Sequence, residues 1–281
     1  MVKRKVLIIG AAGYVANQIL DNFQDRYDLL LCDTTKTNGD GKVIDEIKMV
    51  DLLNSDDKQY QNLFSNIDTV IHLGLIHSKG KPIDKFETEN NNIKMNYNVF
   101  KASFEAGVKR VIYASSNHAA DWYENFLIHD RKMESIDPYL LPLSDNFYGW
   151  AKASSEHMSF LFACGIFGRK MDIVNVRIGS PKEIGPNEKD VRLLKRHLGS
   201  YLSPRDLSQL LVSTIETTNI ENEHGIPWQI VYGISNNTRS FWSLVNARKV
   251  FGYSPEDDAE IKFSDQVSSK IGKNIGRLGK T

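Results

Sequence analysis

A strand that runs directly into a glycine-rich turn and a helix opens the chain and limits the folds available to it. Residues 6–16 read VLIIGAAGYVA, with the spacing Gly-x-x-Gly-x-x-Ala. Gly10 permits the tight turn, Gly13 lets a pyrophosphate approach the backbone, and Ala16 is small enough for the helix to pack against the strand. An ordinary strand-to-helix turn can carry the same glycines, so the pattern needs support from elsewhere in the sequence.

An acidic residue further along the chain supplies that support. Asp33 lies 23 residues after Gly10, at the end of a second apolar run. A carboxylate there can accept hydrogen bonds from ribose hydroxyls and would repel a 2′-phosphate, which predicts NAD rather than NADP as cofactor. Asp51 follows a third short run; it either binds the adenine amino group or acts as a helix cap or solvated side chain, and both interpretations stay open.

From the N-terminus to Arg177, short β-branched runs alternate with longer stretches of helical periodicity. The predicted strands are Val6–Ile9, Asp28–Cys32, Lys48–Val50, Thr69–Leu73, Arg110–Ala114 and Asp172–Arg177. The predicted helices are Tyr14–Phe23, Glu89–Ala106 and Phe147–Phe167, the last two ended by Gly107 and Gly168. This alternation predicts an α/β protein with a Rossmann-type, doubly wound parallel sheet.

The pattern changes after Arg177, where glycines and prolines interrupt it and the elements become shorter. We therefore predict two units, an NAD-binding Rossmann domain over residues 1–185 and a small substrate-binding lobe over residues 186–281. Within the second unit a helix is expected to begin at Ser203, because Ser203 can cap it, Pro204 suits its first position and Asp206 follows as the acidic third residue.

Charge and cysteine content exclude several classes of protein. Lys plus Arg number 35 and Asp plus Glu number 35, so the net charge is zero and no basic field is available for nucleic acid or an anionic membrane. Cys32 and Cys164 are far apart, which argues against a disulfide framework and favours a reducing, cytoplasmic setting. His72 and His77 lack metal-ligand spacing, so no metal is expected. No apolar run approaches the ~18 residues of a membrane span, and the run after Lys3 is too short for a signal peptide.

A tyrosine and a lysine four residues apart carry the clearest catalytic signal. Tyr148 and Lys152 share one face of a predicted helix, where the ammonium group can lower the phenol pKa from its usual value of ~10 and prepare a general base. Tyr97 and Lys101 show the same spacing. The second pair precedes the fifth predicted strand, whereas Tyr148 follows that strand and comes after the two serines at its carboxyl end, where ligands of such sheets bind.

As an ordered set, these motifs resemble the extended short-chain dehydrogenases/reductases of the NAD-dependent epimerase/dehydratase group. The resemblance covers most of the chain and rests on Gly10, Gly13, Ala16, Asp33, Asp51, Leu52, His72, Leu73, Gly74, Asn92, Ser115, Ser116, Tyr148 and Lys152. It implies that NAD contacts Gly10, Gly13, Tyr14, Val15, Asp33, Asp51, Leu52, Leu73 and Gly74, together with Tyr148 and Lys152.

Residues 114–118 (ASSNH) and 176–180 (VRIGS) resemble, more narrowly, uronate dehydrogenase and related NAD-dependent sugar 1-dehydrogenases, which oxidise a pyranose at its anomeric carbon to a lactone. This resemblance implies that Ser116 joins Tyr148 and Lys152 in catalysis. It implies sugar contacts from Asn117, His118, Ser180 and Arg192. The chain departs from the pattern where His77 or Ser78 replaces a substrate-contacting serine, and in a longer segment between His118 and Tyr148.

Two of these roles have a structural alternative. Asn92 either supports a proton relay or belongs to the start of a helix. His118 either contacts the sugar or is a histidine without a ligand. The basic run 192–197 is equally open: it is either a solvated helix face with Leu193 and Leu194 turned inward or an anion site centred on Arg192. Since the run holds more basic groups than one carboxylate needs, a hexose 6-phosphate is considered beside a uronate.

The sequence therefore predicts an NAD-dependent dehydrogenase that oxidises an anionic sugar at C1. An alternative is a nucleotide-sugar epimerase or dehydratase with tightly bound NAD and no net NADH production. A non-catalytic NAD sensor is the third hypothesis, although such a protein would usually lack the tyrosine or the lysine. The family resemblance further implies a homodimer in which helices 89–106 and 147–167 form a shared bundle.

Overall fold

The computed structural model describes residues 3–54, 58–184 and 191–270. The strands are β1 (Lys5–Ile9), β2 (Asp28–Asp33), β3 (Lys48–Met49), β4 (Thr69–His72), β5 (Arg110–Ser116), β6 (Asp172–Ile178) and β7 (Trp228–Gly233). Within the described ranges they form one seven-stranded sheet in the order β3-β2-β1-β4-β5-β6-β7. All neighbouring strands are parallel.

Helices cover both faces of this sheet. The longer ones are preceded and followed by short turns of helix, and in chain order the α-helices are α1 (Tyr14–Asn17), α2 (Leu20–Arg26), α3 (Lys58–Gln61), α4 (Phe86–Glu105), α5 (Asp121–Tyr123), α6 (Phe147–Ala163), α7 (Val191–Ser200), α8 (Pro204–Glu216), α9 (Val245–Phe251), α10 (Ala259–Lys262) and α11 (Ser264–Lys270). None of the helices in these ranges combines the length and the hydropathy of a membrane-spanning segment.

The position of β1 explains why its sequence is so apolar. It lies between β2 and β4, with Ile9 beside both Cys32 and His72. Residues 6–9 are buried because helices pack on both faces. The strand order reverses between β1 and β4, and a crevice opens at the carboxyl ends of the strands at such a point. The predicted fold class, a doubly wound parallel sheet, is confirmed.

The helix boundaries differ from the predicted ones. Helix α4 spans Phe86–Glu105 rather than Glu89–Ala106, and two further differences have a local cause. The predicted helix 14–23 is split into α1 and α2, because the amide of Asn17 donates to the carbonyls of Ala12 (3.1 Å) and Gly13 (2.7 Å) and the backbone tightens at this point. Helix α6 ends at Ala163 rather than Phe167, because Gly165 already adopts a left-handed conformation with φ +88°.

Strand β7 was missed by the sequence analysis, which placed its residues in the smaller unit. It pairs with β6 along its whole length, from Ile173 beside Trp228 to Ile178 beside Gly233. The predicted boundary at residue 185 lies outside the described residues and stays a prediction. Because β6 belongs to the first predicted unit and β7 to the second, a boundary there divides the strands of one sheet. The predicted helix start is confirmed: the Ser203 side chain accepts from the Asp206 amide at 3.1 Å.

A buried ion pair connects this sheet to α6. The Nε and Nη2 atoms of Arg177 each lie 2.8 Å from an oxygen of Glu156, and both side chains are buried. Ser115 donates to the same carboxylate at 2.5 Å, and Tyr232 accepts from Arg177 at 3.0 Å. Because every charged atom of the pair is hydrogen-bonded, the pair fixes α6 relative to β5, β6 and β7.

Candidate active site

A cleft of about 460 Å³ opens where the strand order reverses. Gly10 closes the turn after β1 with φ +80°, and a Cβ atom there would lie 2.7 Å from the Gly74 nitrogen. The turn therefore requires glycine, both for its conformation and for the close approach of the β4 loop. All nine residues predicted to bind NAD through the turn and the strand ends line this cleft, namely Gly10, Gly13, Tyr14, Val15, Asp33, Asp51, Leu52, Leu73 and Gly74.

Two acidic residues border the cleft in different settings. Asp33 is the last residue of β2, and its carboxylate accepts from the amides of Ala12 (3.0 Å) and Thr34 (2.6 Å), which fixes it beside the glycine turn. Asp51 accepts from the amide of Leu53 at 2.9 Å and so also acts as a turn residue. A dinucleotide fits this arrangement: the glycine backbone can receive the pyrophosphate, and Asp33 lies at the strand end where ribose hydroxyls are bound.

A larger cavity of about 950 Å³ adjoins the cleft, and Leu75, Ile76 and His77 line both spaces. Tyr148 and His118 form part of its wall, and so do His77 and Ser78 from the loop after β4. The predicted base and three of the predicted sugar contacts are thus brought to one cavity beside the cofactor cleft.

Ser116 and Lys152 flank Tyr148 on the side of the sheet. Ser116, the last residue of β5, forms a hydrogen bond with Tyr148 that lowers the pKa of the phenol. The Lys152 ammonium donates to the carbonyl of Ala114 at 2.6 Å and lies 5.7 Å from the centre of the Tyr148 ring. The helical spacing of the sequence therefore places both side chains where β5 ends.

The pKa of Tyr148 is nevertheless raised above its usual value. Burial is the main cause, and the nearby carboxylates of Glu89 and Asp121 add to it, against the opposing effect of the Ser116 hydrogen bond. Burial also lowers the pKa of Lys152 to about 8, although Glu89 and Glu156 oppose this. The predicted lowering of the phenol pKa by Lys152 is therefore not produced by the described residues alone.

Asn92 lies inside α4, which begins at Phe86, so it does not belong to a helix start. Its side chain accepts from the Ile76 amide at 2.8 Å and donates to the Ile76 carbonyl and to Glu89, both at 3.0 Å. Asn92 thus holds the loop that separates the cleft from the cavity. Its role in a proton relay stays a prediction.

The remaining predicted sugar contacts lie in other surroundings. Asn117 is buried and accepts from Ser116 at 3.4 Å. The backbone of Ser180 pairs with Ser200 and Leu202, and neither Ser180 nor Arg192 is among the described residues that line the cavity. Arg192 donates to the Asn125 carbonyl at 3.3 Å.

The basic run 192–197 on α7 is divided between buried and exposed positions. Leu194 is buried but Leu193 is 38% exposed, so the prediction that both turn inward was wrong for Leu193. Arg196 lies 3.1 Å from both Asp121 and Glu124. The run therefore includes Arg196, which forms ion pairs, as well as residues that are exposed to solvent.

Most of the cavity wall was not predicted from the sequence, including three charged residues and a tryptophan. Lys85 and the buried Glu89 lie before and within α4, Asp121 lies in α5, and Trp150 lies two residues after Tyr148. The i,i+3 spacing of Asp121 from His118 was visible in the sequence, but only a helical turn after β5 makes it meaningful. Nothing local marks Lys85 or Glu89.

The second tyrosine-lysine pair lies apart from both spaces. Tyr97 packs against Phe162 with ring centres 6.4 Å apart and is 44% exposed, while Lys101 pairs with Glu105 at 3.4 Å. Neither side chain lines the cleft or the cavity. Within the described residues no group of His, Cys, Asp and Glu side chains is arranged to hold a metal ion.

Residues 6–192 match the family described as NAD dependent epimerase/dehydratase. The chain is 31% identical to an NAD-dependent glucose-6-phosphate dehydrogenase of Haloferax volcanii, over 93% of this chain and 97% of that protein. It is 27% identical to a uronate dehydrogenase of Pseudomonas syringae, over 92% and 83% of the two chains. Among solved structures, a mutated uronate dehydrogenase superposes with a TM-score of 0.74 at 27% identity, covering 96% of this chain and 87% of that one.

The glycine-turn cleft beside a serine, a tyrosine and a lysine defines an NAD-dependent enzyme of the Rossmann type. Together with the match over residues 6–192, it places the chain in a particular group of such enzymes. The chain belongs to the NAD dependent epimerase/dehydratase family.

Asp33 should set the choice between the two nicotinamide cofactors. We expect the wild type to bind NAD more tightly than NADP, because a carboxylate accepts from a hydroxyl pair and repels a phosphate. Asp33→Ala should narrow that difference by weakening NAD binding about 10-fold, the order expected for hydrogen bonds to a charged group. Titration of both cofactors by protein fluorescence measures this, and equal wild-type affinities for NAD and NADP would contradict it.

Proposed function

We propose that the protein oxidises a sugar at its anomeric carbon with NAD and produces the lactone. One observation carries the proposal: Tyr148, hydrogen-bonded to Ser116, lies in the wall of the cavity that adjoins the cofactor cleft. A base is thereby presented to a ligand beside the expected position of the nicotinamide, with the Ser116 hydroxyl next to it. The names of the relatives, dehydrogenases of glucose 6-phosphate and of uronates, support a sugar as this ligand.

The chain and its cofactor have separate roles in the reaction. NAD, when bound, supplies the hydride acceptor. Tyr148, as the phenolate, accepts the proton of the C1 hydroxyl and Ser116 hydrogen-bonds the same oxygen, so that C1 loses a hydride, the oxygen loses a proton and a carbonyl forms. Lys152, held by the Ala114 carbonyl, provides positive charge behind the phenol. We assign Asn92 to the support of this group through the Ile76 backbone.

A screen of sugars tests the reaction directly. Incubation with NAD and glucuronate, galacturonate, glucose, galactose or glucose 6-phosphate should produce NADH, followed by its absorbance, with at least one of them. Tyr148→Phe should lower kcat about 100- to 10,000-fold with NAD affinity retained, because the ring remains and the proton acceptor is lost.

Tyr97→Phe is the matched control, since it makes the same change on the same kind of helix outside both spaces. It should leave kcat within about 2-fold, the usual range for a surface substitution. An inactive Tyr97→Phe would place the active site elsewhere. Turnover of a nucleotide sugar without net NADH would indicate an epimerase or dehydratase instead.

We further propose that the sugar is anionic, a uronate or a hexose 6-phosphate, and that Arg192 meets its charge. Arg196 is unsuited to this role because two carboxylates already engage it. Lys85 is the competing candidate, because it lines the cavity directly. Ser180, His77, Ser78 and Asn117 complete the proposed sugar contacts.

Arg192→Ala should lower kcat/KM for the charged sugar about 10- to 150-fold, or roughly 1.5–3 kcal/mol for a hydrogen bond to a charged group, and spare the neutral hexose. Lys85→Ala is assayed alongside with the same sugars. A larger loss in Lys85→Ala would move the anion site to the loop after β4. If both variants affected charged and neutral sugars equally, the proposal of an anion site would be wrong.

A homodimer in the cytoplasm is part of the proposal. Helices α4 and α6 pack together and still expose large apolar side chains, among them Tyr97 and Leu161. Exposed apolar faces on adjacent helices are suited to a bundle shared between two copies. The free thiols of Cys32 and Cys164 are compatible with a reducing compartment.

Light scattering should give twice the mass of the 31.9 kDa chain. Leu161→Arg should shift the population towards monomer, because a charge would be buried at the interface. Ile166→Arg, a similar change at an exposed apolar residue beyond the end of α6, is the control and should leave the mass unchanged. A wild type that is monomeric at all concentrations would contradict the proposal.

A further inference from the structure

A buried carboxylate in the cavity wall contacts a histidine beside Tyr148, in addition to raising the pKa of that tyrosine. Asp121, 4% exposed, lies in α5 within the segment that connects β5 to α6. Its Oδ1 accepts from Arg196 at 3.1 Å, and its Oδ2 accepts from the Nδ1 atom of His118 and from Asn146 at 3.4 Å. Because the protein already engages both oxygens, Asp121 is poorly suited to act as a base on a ligand.

The contact between Asp121 and His118 determines which ring nitrogen carries the hydrogen. An ionised carboxylate only accepts, so the Nδ1 atom of His118 must donate. In a neutral ring this leaves Nε2 as an acceptor. The His118 side chain is 39% exposed, lines the cavity and lies with its ring centre 5.5 Å from that of Tyr148. Nε2 is therefore the nitrogen available to a hydroxyl group bound next to the catalytic tyrosine.

Three separate elements hold Asp121 in place. Arg196 belongs to α7 and also binds Glu124, 3.1 Å from its Nε atom. Asn146 caps α6 by accepting from the Gly149 amide at 2.9 Å, so the cap of the catalytic helix also contacts Asp121. The remaining partner is His118 itself, at the end of β5. Burial raises the pKa of Glu124 to about 7, although Arg196 lowers it.

Gly149 shows how closely these parts are packed. A Cβ atom at this position would come within 2.0 Å of the His118 carbonyl oxygen and 2.2 Å of the Ser144 hydroxyl. Helix α6 therefore lies directly against the His118 backbone. The backbone of His118 is fixed by this contact, and its ring is fixed by Asp121.

We infer that Asp121 is a positioning residue that fixes His118 in its Nδ1–H tautomer and presents Nε2 to a hydroxyl of the substrate. Arg196 serves this arrangement by holding Asp121, and is not a receptor for the anion of the substrate. The inference rests on the proposed function in one respect only, namely that the hydroxyl belongs to a sugar.

The tautomer can be measured without any substrate. In protein labelled with ¹⁵N-histidine, at about two pH units above the ordinary histidine pKa of about 6.5, nitrogen shifts distinguish a protonated from an unprotonated ring nitrogen. The His118 signals are assigned by their loss in His118→Ala. We expect Nδ1–H in the wild type and in Glu124→Gln, and a mixture of tautomers in Asp121→Asn. A wild-type Nε2–H tautomer would overturn the inference, whatever the enzyme oxidises.

Kinetics then test the consequence with the sugar that the screen identifies. Asp121→Asn should raise KM for that sugar about 10-fold with NAD affinity retained, because a binding contact is lost. Since loss of the Asp121 charge also lowers the pKa of Tyr148, kcat is compared on the plateau of its pH profile. Glu124→Gln is the control: it removes the other partner of Arg196 but leaves the contact with His118, and should change KM less than about 2-fold. Thermal unfolding and NAD titration of each variant show that it is folded.

A double-mutant cycle separates positioning from a general structural role. In the His118→Ala background, Asp121→Asn should raise KM no further, because its effect passes through the missing ring. An equal increase in both backgrounds would show that Asp121 acts independently of His118 and would overturn the inference. If no sugar is oxidised at all, the proposed function is wrong. The tautomer measurement still tests whether Asp121 positions His118.

Discussion

The buried pair of Arg177 and Glu156 is the interaction on which the active-site geometry depends. Glu156 lies one helical turn after Lys152 on α6, and Arg177 lies on β6. Their contact, with Ser115 added, fixes the helix that carries the tyrosine and the lysine against the end of the strand that carries Ser116. Removing one member would leave a buried charge without a partner, which costs about 3–5 kcal/mol in known cases. The positions of the side chains at the cavity wall therefore depend on a charged pair buried beneath them.

The charge distribution around Tyr148 is unusual for a base. Glu89 and Asp121 surround the phenol with negative charge, and both raise its pKa. The chain by itself therefore favours the neutral tyrosine. A neutral tyrosine must lose its own proton before it can act as a base, and nearby positive charge favours that loss. The protein is therefore suited to activate Tyr148 when NAD, with its positively charged nicotinamide ring, is bound.

Features determined by neighbouring residues were readable in the sequence. The glycine turn, Asp33 at the end of β2 and the four-residue spacing of Tyr148 and Lys152 all depend on local backbone geometry. The cleft contains the glycine turn and Asp33 and the cavity contains Tyr148, whereas Lys152 is buried and lines neither space. Six strands were predicted because their apolar runs alternate with long helices. Strand β7 follows α8 only after an irregular stretch, residues 217–227, and its pairing with β6 is a long-range contact.

The missed site residues share this long-range origin. Asp121 acquires its environment from α6 and from Arg196 on α7, which is remote in the chain. Lys85 and Glu89 border the cavity only because α4 begins beside the loop after β4. The same applies to the basic run 192–197: composition suggested one anion site, whereas contacts divide it between the ion-paired Arg196 and exposed neighbours.

The close approach at Gly149 has a consequence for redesign of the enzyme. The backbone of α6 at Gly149 lies directly against the backbone carbonyl of His118, with the Ser144 hydroxyl also close, so that a side chain at position 149 has no room. A replacement segment taken from a relative would have to reproduce the path of the His118 carbonyl to within tenths of an ångström, or displace the helix that bears the base. Altered sugar preference is therefore better sought by changing side chains at the cavity mouth, such as Ser78 and Lys85, than by exchanging loops.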